Sequence, residues 1–233
     1  MPDSHPLDNP IWSALTTEHA SLALGDGHAR RYPPAIGPLS GMASQTEAAY
    51  GSLRSLAGPT GTIVLFLQQP AVPRPGWTLI RGGQLCQMIL ANLDGLESAP
   101  LPTAVSMRRL TAADVSEMVA LAELTEPGPF RNRTHELGIF YGIFDSGRLV
   151  AMAGQRMHVP GFVEVSAVCT HPDARGRGYA RALMAEVMRE IRQRGETPFL
   201  HAFTDNYPAI RVYEGLGYVQ RRILHLAVLK NEA

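Results

Sequence analysis

The run Thr170-His171-Pro172-Asp173-Ala174-Arg175-Gly176-Arg177-Gly178-Tyr179-Ala180 has the composition of an anion site. It joins a strand-like stretch, Phe162–Thr170, to an amphipathic stretch over 179–194. A Gly-rich turn that opens a helix leaves the first backbone N–H groups without intrahelical partners, and the helix dipole adds positive charge at the same point. Gly178 and Ala180 carry little or no side chain, so the main chain itself can reach a phosphate. Arg177 and Arg181 either add charge-assisted contacts or are solvated surface charges. The chemistry indicated is the binding of a phosphate-bearing cofactor.

Other side chains nearby carry proton chemistry. Glu164 is either a strand glutamate, solvated or ion-paired, or a carboxylate whose pKa partial burial raises until it can take a proton from an amine. Ser166 falls on the same strand face and is suited to position a water. Tyr213 is either a helix aromatic packed in the core or a phenol that donates to a leaving group. Asn206 reads as an N-cap, a cofactor contact, or both. Cys169 reads as a buried strand thiol, and His171 and His201 as turn and strand residues.

Spacing separates the cofactor classes. Gly176-Arg177-Gly178 lacks the third glycine of a dinucleotide fingerprint, and no Gly-Lys-Ser/Thr of a triphosphate loop is present. Arg175-x-x-Gly178-x-Ala180 resembles the Arg/Gln-x-x-Gly-x-Gly/Ala signature of the Gcn5-related N-acetyltransferases (GNAT), whose loop holds the pyrophosphate of coenzyme A. Glu164 stands eleven positions ahead of Arg175, an offset at which many members carry a general base. The segment Asn206-Tyr207-Pro208-Ala209-Ile210-Arg211-Val212-Tyr213-Glu214-Gly215-Leu216-Gly217-Tyr218 is similar to the family's closing motif, and order and spacing agree over about 55 residues.

The resemblance implies acetyl-CoA as co-substrate and direct attack of an amine, without an acyl-enzyme. It implies Arg175, Gly176, Arg177, Gly178 and Ala180 around the pyrophosphate, the main chain of Val168 and Thr170 beside the thioester, and Asn206 as a further contact. Glu164 is implied as base and Tyr213 as acid. It also implies that strands 162–170 and 198–203 splay apart. Thr170 stands where the family usually has Val or Ile.

The elements that must position these residues are legible over most of the chain. Ala180, Leu183, Met184, Val187, Met188 and Ile191 form the apolar stripe of a helix packed on a sheet, with Gly195 as its stop. Upstream, 105–109 reads as a strand, Thr111 with Asp114 as a capping box, and 138–144 with 148–157 as a hairpin around Asp145-Ser146-Gly147. Earlier still, Asn9-Pro10 opens a helix and Ser44-x-x-Glu47 is a capping box for a second that stops at Gly58-Pro59. A strand at 62–67 is expected to pair with 77–80. Residues 93–103 read as a linker. Arg81-Gly82-Gly83-Gln84 has Gln where a second cofactor loop needs glycine, so one cofactor site is expected.

Composition excludes several function classes. The 233 residues are 45% hydrophobic and 18% charged, with formal charge +0, so no global field draws in nucleic acid or an acidic membrane. Lys230 is the only lysine, and two cysteines make neither a disulfide framework nor a zinc site. The polar, proline-broken residues 1–10 are unlike a signal peptide, and a cytoplasmic location is the default expectation.

The expected fold is α+β: a mixed, mostly antiparallel GNAT sheet flanked by helices over 105–233, preceded by a degenerate GNAT-like half over 1–104. This tandem pattern resembles the FR47-like and glycine N-acyltransferase-like branch. The expected function is acetyl-CoA-dependent N-acyl transfer to a small-molecule amine or amino-acid acceptor, with no metal, nucleic acid or membrane partner and with a homodimer possible. The alternatives are a protein N-acetyltransferase and a non-catalytic acyl-CoA sensor. The family builds acceptor pockets from segments that fall here at 125–136 and 221–229. Arg131 and Arg133, beside Phe130, are either exposed loop charges or ligands for an amino-acid carboxylate.

Overall fold

The structure, a computed structural model, describes residues 5–72, 74–92 and 101–232, so most of the expected linker at 93–103 lies outside the described residues. In chain order the elements are α1 (Pro10–Thr16), the short strands β1 (Leu24–Gly25), β2 (Ala29–Arg31) and β3 (Ser40–Met42), α2 (Glu47–Ala57), β4 (Thr62–Leu67) and β5 (Trp77–Leu90). Then come β6 (Val105–Arg109), α3 (Val115–Thr125), β7 (Phe140–Asp145), β8 (Arg148–Val159), β9 (Phe162–Thr170), α4 (Tyr179–Gln193), β10 (Thr197–Phe203), α5 (Tyr207–Glu214) and β11 (Tyr218–Asn231). Eight strands form one sheet in the order β4-β11-β5-β10-β9-β8-β7-β6, and only β9 and β10 run parallel. The architecture is the expected α+β arrangement of a mostly antiparallel sheet flanked by helices.

Local signals account for most element ends. Thr111 and Asp114 close the expected capping box ahead of α3. Gly58, at φ +71°, stops α2 where Gly58-Pro59 indicated. The start of α2 differs: Thr46, not Ser44, is the N-cap, because its extended backbone lets Oγ1 accept from the Ala49 N–H at 3.2 Å.

Pairing around β4 and β5 departs most from expectation. Residues 77–80 do not pair with β4. They begin β5, a strand that continues through Arg81-Gly82-Gly83-Gln84 and pairs along its length with β11. Strand β11 lies between β4 and β5, and residues 221–229, where the resemblance put an acceptor-pocket segment, are part of this single strand. The strands of residues 62–67 and 77–90 therefore join the same sheet as the strands after 104.

Both faces of the sheet are covered, and alternation along each strand sorts the residues. On one face α4 packs Leu183, Met184, Val187, Met188 and Ile191 against Val150, Val163, Val165 and Leu200. On the other, Leu7, Ile11 and Leu15 of the N-terminal layer meet Phe66, Met157, Phe199 and Leu224. Helix α3 covers Met152, Leu149 and Phe144, and α2 covers Ile63, Leu65 and Leu229. Because β4 is buried on both faces, its sequence is apolar without alternation. Glu164, between Val163 and Val165, points away from α4 into the N-terminal layer.

Residues 105–233 produced alone should fail to fold cooperatively. That fragment strips β11 of both neighbours and β10 of β5, leaving apolar edges that pair with other chains. Circular dichroism during thermal unfolding checks this: the whole chain should melt in a sharp transition and the fragment in none, and a fragment melting as sharply as the whole chain would contradict it.

Candidate active site

Strands β9 and β10 pair only at Thr197–Phe162, Pro198–Val163 and Phe199–Glu164. Beyond Glu164 they diverge. A β-bulge shapes the free part of β9: Met152 pairs with Cys169 and Gly154 with Ser166, so Ala153 alone faces both Ala167 and Val168. Ala167 takes φ +52°, an uncommon backbone conformation for a residue with a Cβ. The His171 N–H donates to Val150 O of β8 at 2.7 Å. Peptide groups alternate along a strand, so the N–H groups of Thr170 and Val168 turn the other way, toward the gap beside β10.

The gap continues into a cleft of about 560 Å³. Val168, Thr170, Arg175, Gly176, Gly178, Ala180, Asn206 and Tyr213 all line it, together with Arg181 and Cys169. Gly176 and Gly178 adopt φ +75° and +77°. A Cβ on either would meet no atom within 4 Å. What demands glycine is therefore the left-handed backbone, and the space above each turn is open to a ligand. Gly178 is the N-cap of α4, so the orphan amides of that helix face this cleft. Loop and helix end together fit a pyrophosphate.

Arg177 is the expected loop residue that the structure does not place in the lining. Its guanidinium is drawn aside to Asp145 Oδ2 at 3.4 Å and Asp173 O at 3.1 Å. Arg175 stays at the cleft and contacts Thr170 O. Asn206 caps α5, its Oδ1 accepting from the Ala209 N–H at 3.3 Å, and lines the cleft as well. The Tyr213 ring meets Tyr218 edge-on at 6.3 Å, and burial raises its pKa above the ordinary phenol value, so it stays protonated. Burial pushes the Cys169 thiol up to about 11, which leaves it an inert wall of the cleft.

Glu164 does not line the cleft, and the expectation of a partly exposed carboxylate with a raised pKa is corrected. Its side chain is fully buried and bound twice by Arg156, Nε to Oε2 at 2.7 Å and Nη2 to Oε1 at 2.6 Å. His201 Nδ1 sits 2.7 Å from Oε1. Burial alone would raise the pKa, but the Arg156 charge and these hydrogen bonds outweigh it and hold the carboxylate at about 2. Held this way, Glu164 is a partner of Arg156 and His201 outside the cleft lining. Because Glu164 is an acceptor, His201 Nδ1 donates to it, and its Nε2 then accepts from Gln87 Nε2 at 3.1 Å. Burial lowers the His201 pKa, in keeping with that neutral ring. Gln87 also donates to Leu7 O and accepts from Arg221, which pairs with Asp8. The carboxylate is thus one end of a chain of polar groups reaching the N-terminal segment.

A second, smaller pocket lies on the other flank of the bulge, lined by Pro129, Phe130, Arg156, Ser166 and Ala167 among others. Ser166 therefore faces this pocket. Arg131 and Arg133 line neither site; Arg133 is held at the surface by both oxygens of Glu136, at 2.6 and 2.7 Å. The guanidinium that sequence reasoning missed is Arg156. In β8, two residues, Arg156 and Met157, fit opposite Glu164, since Gln155 pairs with Val165 and His158 with Val163. That bulge carries no Gly or Pro, so strand alternation gave no sign of it.

The chain is similar in sequence and fold to known proteins. The FR47-like protein family matches residues 140–225. A protein of Novosphingobium aromaticivorans assigned to the GNAT family of acetyltransferases is 39% identical and superimposes with a TM-score of 0.86, covering 99% of this chain and 100% of that one. The GCN5-related N-acetyltransferase of Kribbella flavida shares the fold at 16% identity, with a TM-score of 0.63 over 96% of each chain. A mycothiol acetyltransferase of Saccharomonospora viridis is 46% identical over 56 residues, a match spanning 24% of this chain and 18% of that protein.

The Glu164 pair predicts a pH dependence. A folded-state pKa near 2, against an ordinary 4.5, stabilises the fold at all pH values above 4.5, and that contribution disappears as pH falls through 2. Glu164→Gln leaves the Arg156 charge buried without its partner and should cost about 3–5 kcal/mol at pH 7. Denaturant unfolding of both proteins checks this, the gap between them narrowing as the pH approaches 2. Equal stability at pH 7 would show that the pair does not hold these strands.

Proposed function

Because the chain belongs to the GNAT family of acetyltransferases, with an FR47-like segment at 140–225, we propose that it transfers an acetyl group from acetyl-CoA to the amine of a small acceptor by direct attack. The observation that carries this reading is the meeting, in one cleft, of the α4 N-terminus, the outward main chain of Val168 and Thr170, and the Tyr213 side chain. Acetyl-CoA supplies the acyl group already activated as a thioester.

In this reading the amides of Gly176 through Ala180 bind the pyrophosphate, with Arg175 and Arg181 adding positive charge at the cleft wall. The N–H groups of Val168 and Thr170 donate to the pantetheine or thioester oxygens; fixed in position beforehand, they need no reorganisation as negative charge builds there. The amine nitrogen bonds to the carbonyl carbon as the C–S bond breaks, and the electron pair leaves on sulfur. Tyr213 steadies that thiolate. Its raised pKa lies above that of an ordinary thiol, roughly 8.5, so it donates a hydrogen bond and keeps its proton. Glu164 positions strands rather than acting as the base, and the amine loses its proton to solvent through the cleft.

Two measurements test this. Saturating acetyl-CoA, at about 100 times Kd, adds roughly 2.7 kcal/mol, which should raise the melting midpoint by about 5–10 °C. Gly178→Asp places a β-carbon and a negative charge at the pyrophosphate site and should abolish the shift; a shift retained in that variant removes the loop assignment. Tyr213→Phe should lower kcat by roughly 100-fold with the acetyl-CoA shift unchanged. An unaltered kcat would return Tyr213 to a packing role.

A further inference from the structure

Two phenols meet beside the cleft, and only one of them faces it. Tyr213 lines the cleft. Tyr218, the first residue of β11, lies behind it at 2% exposure, in the core that α4 covers. A clamped turn sets the pair in place. The Leu216 N–H donates to Tyr213 O and the Gly217 N–H to Glu214 O, each at 3.0 Å, while the Ala91 N–H holds Gly217 O at 3.0 Å just past the end of β5. The two rings then meet edge-on, with centroids 6.3 Å apart and planes at 63°.

The Tyr218 hydroxyl is out of place in that core. Its oxygen is buried and has no hydrogen-bond partner among the described residues. A buried hydroxyl left unpaired is costly, and phenylalanine would fill almost the same volume without that cost. Packing therefore explains the ring but not the oxygen. The polar neighbour within its reach is Tyr213. Burial raises the Tyr218 pKa well above the ordinary phenol value and Tyr213 raises it further, so Tyr218 remains a donor and charge on one oxygen is felt at the other.

We infer that Tyr218 is a positioning residue for acyl transfer: its O–H donates to the Tyr213 oxygen and so turns the Tyr213 O–H toward the departing sulfur. This rests on the acyl-transfer reading above and adds a second donor behind its leaving-group site. A sulfur seated in the cleft accepts from Tyr213, and the Tyr213 oxygen then becomes the acceptor that Tyr218 lacks. As the C–S bond breaks, the electron pair goes to sulfur and the Tyr213 oxygen gains negative character, which the Tyr218 donor offsets. Both phenols keep their protons throughout. Hydrogen bonds in series strengthen one another where water is excluded, so the hidden hydroxyl acts on a sulfur it does not touch.

The test uses the whole chain with coenzyme A and needs no acceptor. The thiolate of bound coenzyme A absorbs in the ultraviolet where the thiol does not, and the complex with desulfo-coenzyme A supplies the protein background. An ordinary thiol titrates near about 8.5, and the bound one should titrate roughly one pH unit lower or more. Tyr218→Phe should raise that value by roughly half a pH unit, a loss of about 3-fold in thiolate stabilisation, with coenzyme A still bound and the melting midpoint not lowered. Tyr213→Phe should raise it further, and the double variant should match Tyr213→Phe alone, because Tyr218 acts only through Tyr213. An unchanged titration in Tyr218→Phe would overturn the proposal, as would a double variant worse than Tyr213→Phe. If Tyr218→Phe unfolds or no longer binds coenzyme A, the hydroxyl is structural and the proposal falls. A bound thiol that titrates as it does free, or that ignores Tyr213→Phe, would instead bring down the Tyr213 role in acyl transfer, and this proposal with it.

Discussion

Strands β9 and β10 share three residue pairs and then part, and the site depends on that parting. Were the ladder to continue, the N–H groups of Val168 and Thr170 would be consumed by β10 and there would be no cleft between the strands. The bulge at Ala167 and Val168 turns those groups outward and keeps them there at the cost of one strained residue. The loop that follows uses two left-handed glycines to bring the α4 N-terminus to the mouth of the same gap. Backbone geometry, more than side-chain chemistry, thus makes the cofactor end of the site.

The opposite face of the gap is organised by charge. Arg156, Glu164 and His201 are taken out of water together, an arrangement that is tolerable only because every oxygen of the carboxylate and both ring nitrogens find partners. Their cover is the N-terminal layer: Leu7 supplies a carbonyl to Gln87, and Thr134 of the loop after α3 donates to Ile36 O at 2.6 Å. The first part of the chain therefore does more than shield apolar surface. It sets the dielectric in which a glutamate of an otherwise familiar motif becomes a fixed counter-ion.

What could be read from the sequence was whatever is local. The Gly-rich turn, the α4 stripe, the Thr111–Asp114 capping box and the hairpin at Asp145-Ser146-Gly147 each state their conformation within a few residues, and the structure follows them. Eight of the ten expected site residues line the cleft together; Glu164 and Arg177 do not. Both exceptions are held by partners on neighbouring elements, from 4 to 37 residues away in the chain. Arg177 is drawn to Asp145, and Glu164 is claimed by a residue from one neighbouring strand and another from the second. The bulge that aligns Arg156 with Glu164 has no sequence signature, because neither Arg156 nor Met157 is a turn former. The position of β11 was hidden for the same reason: nothing in an apolar strand such as β4 says that its neighbour comes from the far end of the chain.

That placement of β11 governs how fast the molecule can assemble. Strands β4 and β5 form early in the chain but do not touch each other, and the strand that must slip between them follows every other element of the sheet. The hairpin of β7 and β8 and the packing of α4 can form from neighbours alone, whereas the β4–β11–β5 ladder waits for closure of the longest loops in the protein. Contact order of this kind slows folding far more than it alters stability. A slow closing phase should belong to this corner of the sheet, where β11 completes its pairing with β4 and β5.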